Sequence, residues 1–589
     1  MKKRIVCVLL SIMISASMLM GCGASDKAAS TAEATESEMT SSSKESKKEK
    51  NGNKDHVDMA EVESEPMADA GYYEGADYEA AAFAPSSASE KHSSNSYYDS
   101  YYEEYYPDHY NTEEYSGINE NGFSDAVKNP LSTFAADVDT ASYSNFRRFV
   151  MQGYGLGDFP SGSLRTEEMV NYFKYDYAEP KRGEIFGVDA TISECPWNEE
   201  AKLMILGINT KDMKKDSMPD SNIVFLVDVS GSMSDSNKLP LIKESMELLV
   251  ENFDKDDRIS IVTYASGTEV KLEGASGDEH KKILRAFNRL NASGSTNGGE
   301  GIKLAYELAE ENFIKDGVNR VIICSDGDFN VGLTSQSELE DLISKEKESG
   351  IYLSVLGFGM YNYSDTTMET LADKGNGNYA YIDTLSEAKK VLVDEMTSTF
   401  VTVAKDVKFQ VEFNPAMVRE YRLVGYENRG LASEDFTDDL KDGGEMGAGH
   451  QVTAIYEIVL SDDKNSDTDL KYQDTKISKK GNKKDEYCTL SIAYKEYDKD
   501  RSEYKEYPIG ADNYTKRPDD DFIFASLVAE ASLALRNSEY LVDVESYEAI
   551  EDITETLEDM DLDEYREEFY DLLTEITDQN YGYDYYYYE

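Results

Sequence analysis

The spacing of hydrophobic positions changes period several times along the chain, and each change marks a different kind of segment. From Gly23 to about Gly122 there is almost no aliphatic periodicity; Ser, Glu, Lys, Asp, Ala and Tyr dominate, and such a stretch cannot bury enough apolar surface to fold. It reads as a tether over 23–122, which for roughly 100 flexible residues reaches about 50–60 Å. Order is expected near Asn129-Pro130. Phe146, Phe149 and Val150 then fall at helical spacing behind a cap at Asp139 or Thr140, and a second helix is predicted over Arg165–Phe173, giving a helical module at 123–185.

Two strands follow in 186–215, one at Phe186–Ile192 and one at Leu203–Ile208. Between 216 and 400 the pattern changes: apolar runs at 223–227, 259–263, 320–324 and 351–358 alternate with amphipathic helices near 239–253, 301–313, 336–348 and 386–400. Uninterrupted apolar strands alternating with helices imply an α/β unit, Rossmann-like, whose mostly parallel sheet is covered on both faces. Period-two alternation returns in 401–510, at Val407–Phe413, Val452–Ile458 and Thr489–Ala493, and predicts antiparallel β structure. Helices over Asp519–Leu535 and Tyr547–Leu557 make a C-terminal helical module at 511–575. Because strands flank the α/β unit on both sides, it is expected to be inserted in an antiparallel β-sandwich.

Composition adds three constraints. A chain of 589 residues exceeds a single core, so several domains are expected. With 59 basic and 117 acidic residues the net charge is −58, which repels phosphate backbones and argues against nucleic acid as a partner. Many of the 43 tyrosines bunch around Tyr97–Tyr106 and in the tail at 576–589, both of which read as low-complexity sequence.

At the N-terminus Lys2, Lys3 and Arg4 precede the apolar stretch Ile5–Met20, as in a secretion signal over 1–22. Leu19-Met20-Gly21-Cys22 resembles the lipobox of bacterial lipoproteins, which implies lipidation at Cys22 and a chain anchored at the extracytoplasmic face of the cell membrane. Three further cysteines, Cys195, Cys324 and Cys488, are odd in number and widely spaced, so they suggest neither a disulfide framework nor a zinc site.

The candidate chemistry lies where apolar strands end. Ile223–Val227 runs into Asp228-Val229-Ser230-Gly231-Ser232, Gly294-Ser295-Thr296 precedes a helix, and Asp326-Gly327-Asp328 follows the strand at 320–324. Ligand sites of open α/β sheets lie at these carboxyl ends. Carboxylate and hydroxyl oxygens without nitrogen or sulfur suit a hard cation, Mg²⁺ first, with Mn²⁺ or Ca²⁺ as alternatives. In order and placement the set resembles the metal-ion-dependent adhesion site of von Willebrand factor A domains. That resemblance implies direct metal binding by Ser230, Ser232 and Thr296, with Asp228 and Asp326 acting largely through water, and a position left for an acidic group of a partner.

Further stretches carry a second likeness: Asn129–Phe134, Cys195-Pro196-Trp197-Asn198, Ser325–Gly332, Leu356–Met360, Lys374–Tyr381, Gly447-Ala448-Gly449-His450 and Asp520-Asp521-Phe522. They resemble the YfbK-type bacterial lipoproteins with a von Willebrand A domain, over roughly 124–540. The expected function is a surface lipoprotein that binds a protein or envelope ligand through the metal. The alternative is an envelope assembly or stress factor with the metal site as a switch. A phosphatase is disfavoured: Asp137-Val138-Asp139-Thr140 resembles a haloacid-dehalogenase nucleophile motif but is better explained as a helix cap, and His280 and His450 lie outside the metal loops. No enzymatic activity is therefore expected.

Overall fold

The structure is a computed structural model. It describes residues 113, 115–136, 138–296, 298–327, 336–360, 365–439, 441, 443–461, 485–497, 499 and 501–587. The signal segment with Cys22, nearly all of the tether, Asp137, Asn297 and Asp328 lie outside the described residues.

The chain first lays down β1 (Ser124–Asp125) and β2 (Leu131–Ala135), then the helices α1 (Ala141–Met151) and α2 (Thr166–Asn171), then β3 (Phe186–Glu194) and β4 (Lys202–Thr210). The segment 123–185, expected to be helical, thus also supplies two strands. Asp139, not Thr140, meets the exposed end of α1, its Oδ1 accepting from Ala141 N at 3.1 Å. The next backbone N–H, that of Ser142, donates to Glu168 Oε2 at 2.9 Å, so α2 completes the cap of α1.

The α/β unit follows: β5 (Ser221–Asp228), α3 (Leu239–Val250), β6 (Arg258–Tyr264), β7 (Thr268–Ser276), α4 (His280–Asn288), α5 (Gly299–Glu311), β8 (Val318–Ser325), α6 (Gln336–Glu348), β9 (Tyr352–Phe358), α7 (Asp365–Lys374), β10 (Tyr379–Ile382), α8 (Leu385–Lys389) and α9 (Met396–Phe400). The sheet order is β10-β9-β8-β5-β6-β7, parallel except for the β7 edge. Ile223, Phe225 and Val227 pack with α3, α4 and α8 on one face, while Val224 and Leu226 pack with α5 and α7 on the other. Burial on both faces explains why the strand is apolar without alternation. Cys324 belongs to this core as a buried free thiol.

After the α/β unit come β11 (Thr402–Phe413), β12 (Val418–Val424), β13 (Gly444–Gly447), β14 (Gln451–Leu460), β15 (Glu486–Glu496) and β16 (Glu503–Gly510). One sheet has the order β1-β12-β14-β4-β3 and the other β13-β11-β15-β16, with β2 pairing β11 beyond the β13 contact. Both sheets therefore mix strands from before and after the α/β unit, which is an insertion in an antiparallel sandwich. The two ends of the insertion are clasped by Gly447–His450. Ala448 N donates to Val401 O at 2.9 Å, Gly449 N to Lys211 O at 3.1 Å, and Thr210 N to His450 O at 3.0 Å. A Cβ at Gly447 would lie 1.9 Å from Ser398 O, and Gly449 has φ +75°, so the clasp demands glycine at both places.

Finally α10 (Asp520–Leu535), α11 (Ser546–Glu558) and α12 (Glu564–Tyr587) close the chain. They share one apolar cluster with α1 and α2, so the two helical modules read separately from the sequence are a single unit. This unit covers the outer face of β4, where Leu203 and Ile205 point, while Met204, Leu206 and Ile208 fill the sandwich interior. Two low-complexity readings change. Helix α12 continues to Tyr587, carried by buried Phe569, Leu572, Leu573 and Ile576. At the other end the tether docks before residue 122: Glu113 pairs with Arg148 at 2.9 Å, Glu120 with Arg536 at 2.9 Å, and Asn121 donates to Gly425 O at 2.8 Å. These anchors are polar, so hydrophobic periodicity gave no sign of them.

Candidate metal centre

The site is built at the carboxyl edge of β5 and its neighbours. Parallel pairing in register sets Asp228 opposite Tyr264 at the end of β6, and β8 brings Ser325 to the same edge, one residue before Asp326. The loop before α5 is sewn to the loop after β5 by two backbone bonds, Ser293 N to Val229 O at 2.7 Å and Gly231 N to Gly294 O at 3.0 Å. Thr296 stands in that sewn loop, half-buried. Ser266 Oγ accepts from Ser295 N at 3.0 Å and fastens it from the β6 side.

Asp228 and Asp326 are fully buried, Ser230 nearly so, and Ser232 is exposed, so the set opens to solvent on the Ser232 side. Asp228 Oδ1 accepts from Ser230 N at 2.7 Å, and the Ser230 and Ser232 hydroxyl oxygens lie 3.0 Å apart. Burial pushes the Asp228 carboxyl up to about 6; hydrogen bonds from Ser230 oppose this, and the charge of Asp326 adds to it. Burial, and then the charge of Asp228, raise the Tyr264 hydroxyl well above its ordinary value.

These residues fit a hard divalent cation. The Oδ2 atom of Asp228 is buried with no hydrogen-bond partner among the described residues, an arrangement that costs about 1–3 kcal/mol unless something positive meets it. Adjacent hydroxyl oxygens and carboxylates are the donors that Mg²⁺, Mn²⁺ or Ca²⁺ prefer. Among the described residues no three His, Cys, Asp or Glu side chains gather as a metal site, so hydroxyls stand beside only two carboxylates here.

Sequence reasoning missed two members. Tyr264 was findable, because a residue ending a neighbouring strand belongs to the same edge. Lys238 was not: a lysine before the helix start Leu239-Pro240 looks like surface. Its Nζ donates to Asp326 Oδ2 at 3.0 Å, with the Lys238 side chain only 4% exposed. Other candidates fall elsewhere. The His280 ring contacts Phe253 O at 3.1 Å, and His450 sits among Lys174, Lys390 and Glu395. Trp197 is a packing anchor whose indole N–H donates to buried Glu457.

Residues 222–395 match the family model of the von Willebrand factor type A domain, 109–205 a model described as von Willebrand factor, and 398–578 one described as the C-terminal part of the uncharacterized protein YfbK. The Escherichia coli (strain K12) relative, uncharacterized protein YfbK, is 42% identical over 474 residues, spanning 79% of this chain and 81% of that protein. The chain belongs to the YfbK family. More distant likeness is confined to part of the chain: human inter-alpha-trypsin inhibitor heavy chain H4 is 29% identical over 170 residues, 27% of this chain and 18% of that protein. Among solved structures, the von Willebrand factor type A protein from Catenulispora acidiphila is similar at 15% identity, covering 62% of this chain and 82% of that one, with a TM-score of 0.36. Within this YfbK-family chain the von Willebrand A domain is the α/β unit that carries Asp228, Ser230, Ser232, Thr296 and Asp326.

Proposed function

We propose that this YfbK-family protein is a non-enzymatic surface lipoprotein, anchored through Cys22 at the extracytoplasmic face of the cell membrane, that captures a protein or envelope ligand through a divalent cation. Ser230, Ser232 and Thr296 would hold the ion directly, with Asp228 and Asp326 behind them. Bound there, the ion would supply a positive centre for a carboxylate of the partner. The observation that carries this reading is the buried, unpartnered Oδ2 of Asp228 beside the adjacent hydroxyls of buried Ser230 and exposed Ser232. Its chemistry is that of a cation site with one open side.

The test is cross-linking capture from envelope extracts in Mg²⁺, with wild type, wild type in chelator, and Asp228→Ala side by side. A captured set that disappears in both controls supports the reading. Identical sets in all three would remove the metal from the binding mechanism.

A further inference from the structure

We infer that Lys238 is a built-in cation of this site, which holds the metal-free loops together, weakens metal binding and leaves the loaded site positive for an acidic ligand. The inference rests on the metal reading above and assigns a role to a residue outside the motif.

The lysine is placed by construction. Its backbone N donates to Asp235 O at 3.1 Å and its carbonyl accepts from Ile242 N at 2.9 Å, so the residue is fixed where the motif loop enters α3. The aliphatic stem then passes over Gly359, just after β9. A Cβ there would meet the Cε, Cγ and Cδ atoms of Lys238 at 2.3, 2.7 and 2.9 Å. Gly359 is itself held, its carbonyl accepting from the Tyr381 hydroxyl at 2.5 Å. A glycine with φ +86° thus leaves room for this side chain to reach Asp326.

Charge counting gives the consequence. Among the described residues, Asp228 and Asp326 contribute two negative charges and Lys238 one positive, a sum of minus one. A divalent ion brings it to plus one, and a ligand carboxylate brings it to zero. Without Lys238 the same steps run from minus two to zero to minus one, a sequence that favours the metal and disfavours the ligand. Charges this deeply buried are weakly screened, so a single lysine has a large effect. In a chain of net charge −58, a local positive centre is also what lets an acidic partner approach.

The experiment titrates Mn²⁺ into the full soluble chain, reading free Mn²⁺ by electron paramagnetic resonance and thermal stability in parallel. Lys238→Met and Lys238→Gln are expected to tighten Mn²⁺ binding at least ten-fold, and Lys238→Arg, which keeps the charge, to stay within about three-fold of wild type. Should Lys238→Met fold poorly without metal, Mn²⁺ is expected to raise the melting temperature of Lys238→Gln by more than it raises that of wild type. Unchanged or weaker Mn²⁺ binding in Met and Gln variants, with equal thermal shifts, overturns the role of Lys238. If wild type binds no Mn²⁺, or Asp228→Ala binds it equally well, the metal reading itself falls and the inference falls with it.

Discussion

Arg147 Nη1 donates to Asp383 Oδ1 at 2.6 Å across 236 positions of sequence, joining the first helix of the helical unit to the loop after the last strand of the von Willebrand A sheet. The same guanidinium reaches Glu387 and Glu568, each at 3.0 Å, and the Tyr172 hydroxyl at 2.8 Å. One buried side chain therefore ties the inserted domain to Tyr172, at the C-terminal end of α2, and to α12 at once.

Removing Arg147 leaves Asp383 and Glu387 buried without their cation. Arg147→Ala is expected to cost about 3–5 kcal/mol in urea unfolding at neutral pH. Arg147→Lys should recover little of this, because an ammonium cannot serve four acceptors held in the plane of a guanidinium. A loss below about 1 kcal/mol in the alanine variant would show the network to be dispensable.

Gly359→Ala places a methyl group against the Lys238 stem at a left-handed backbone position. The expected cost is of order 1–3 kcal/mol, read as a lower melting temperature. If the lysine is pushed off Asp326, Mn²⁺ binding should also tighten, in the same direction as in Lys238→Met.

Glu530 lies buried on α10, and burial first, then Asp552, raises its carboxyl to about 8. The native chain therefore holds this proton more tightly than the unfolded one between about pH 4.5 and 8, and this contribution to stability is lost as pH rises through that window. Glu530→Gln should be more stable than wild type by on the order of 3 kcal/mol at pH 9 and should show no gain at pH 4. Denaturant melts at the two pH values check it; a gain of equal size at both would point to packing instead.

His450 has the opposite sign. Burial, followed by the nearby Lys174, lowers its imidazole to about 4, with Glu395 opposing. The unfolded chain takes up a proton near pH 6.5 that the native chain refuses until about 4, so stability falls as pH drops across that interval. His450→Asn should flatten this acid limb, measured as the slope of unfolding free energy between pH 6.5 and 4.

Much of the architecture is legible in one dimension because its causes are local. Ile223–Val227 and Arg320–Cys324 read as doubly covered strands from composition alone, and the motif at Asp228–Ser232 stands directly at a strand end. The missed pieces have non-local causes. Strand β2 is ordinary sequence made into a strand by pairing with β11, and β7 is an edge with charged residues at alternate positions. The docking of Glu113 and Glu120 depends on arginines far along the chain.

By itself, then, the sequence determined the α/β unit, its flanking strands and the oxygen-bearing residues at the sheet edge, since periodicity and strand ends are properties of neighbouring residues. Tertiary structure decided which loops are sewn together, that the N- and C-terminal helices form one unit, and that a lysine stands among the candidate site residues. Those outcomes follow from pairing register and burial, which join residues with no pattern in common. Lys238 reaches Asp326 only because the residue just after β9 is a glycine that leaves it a path.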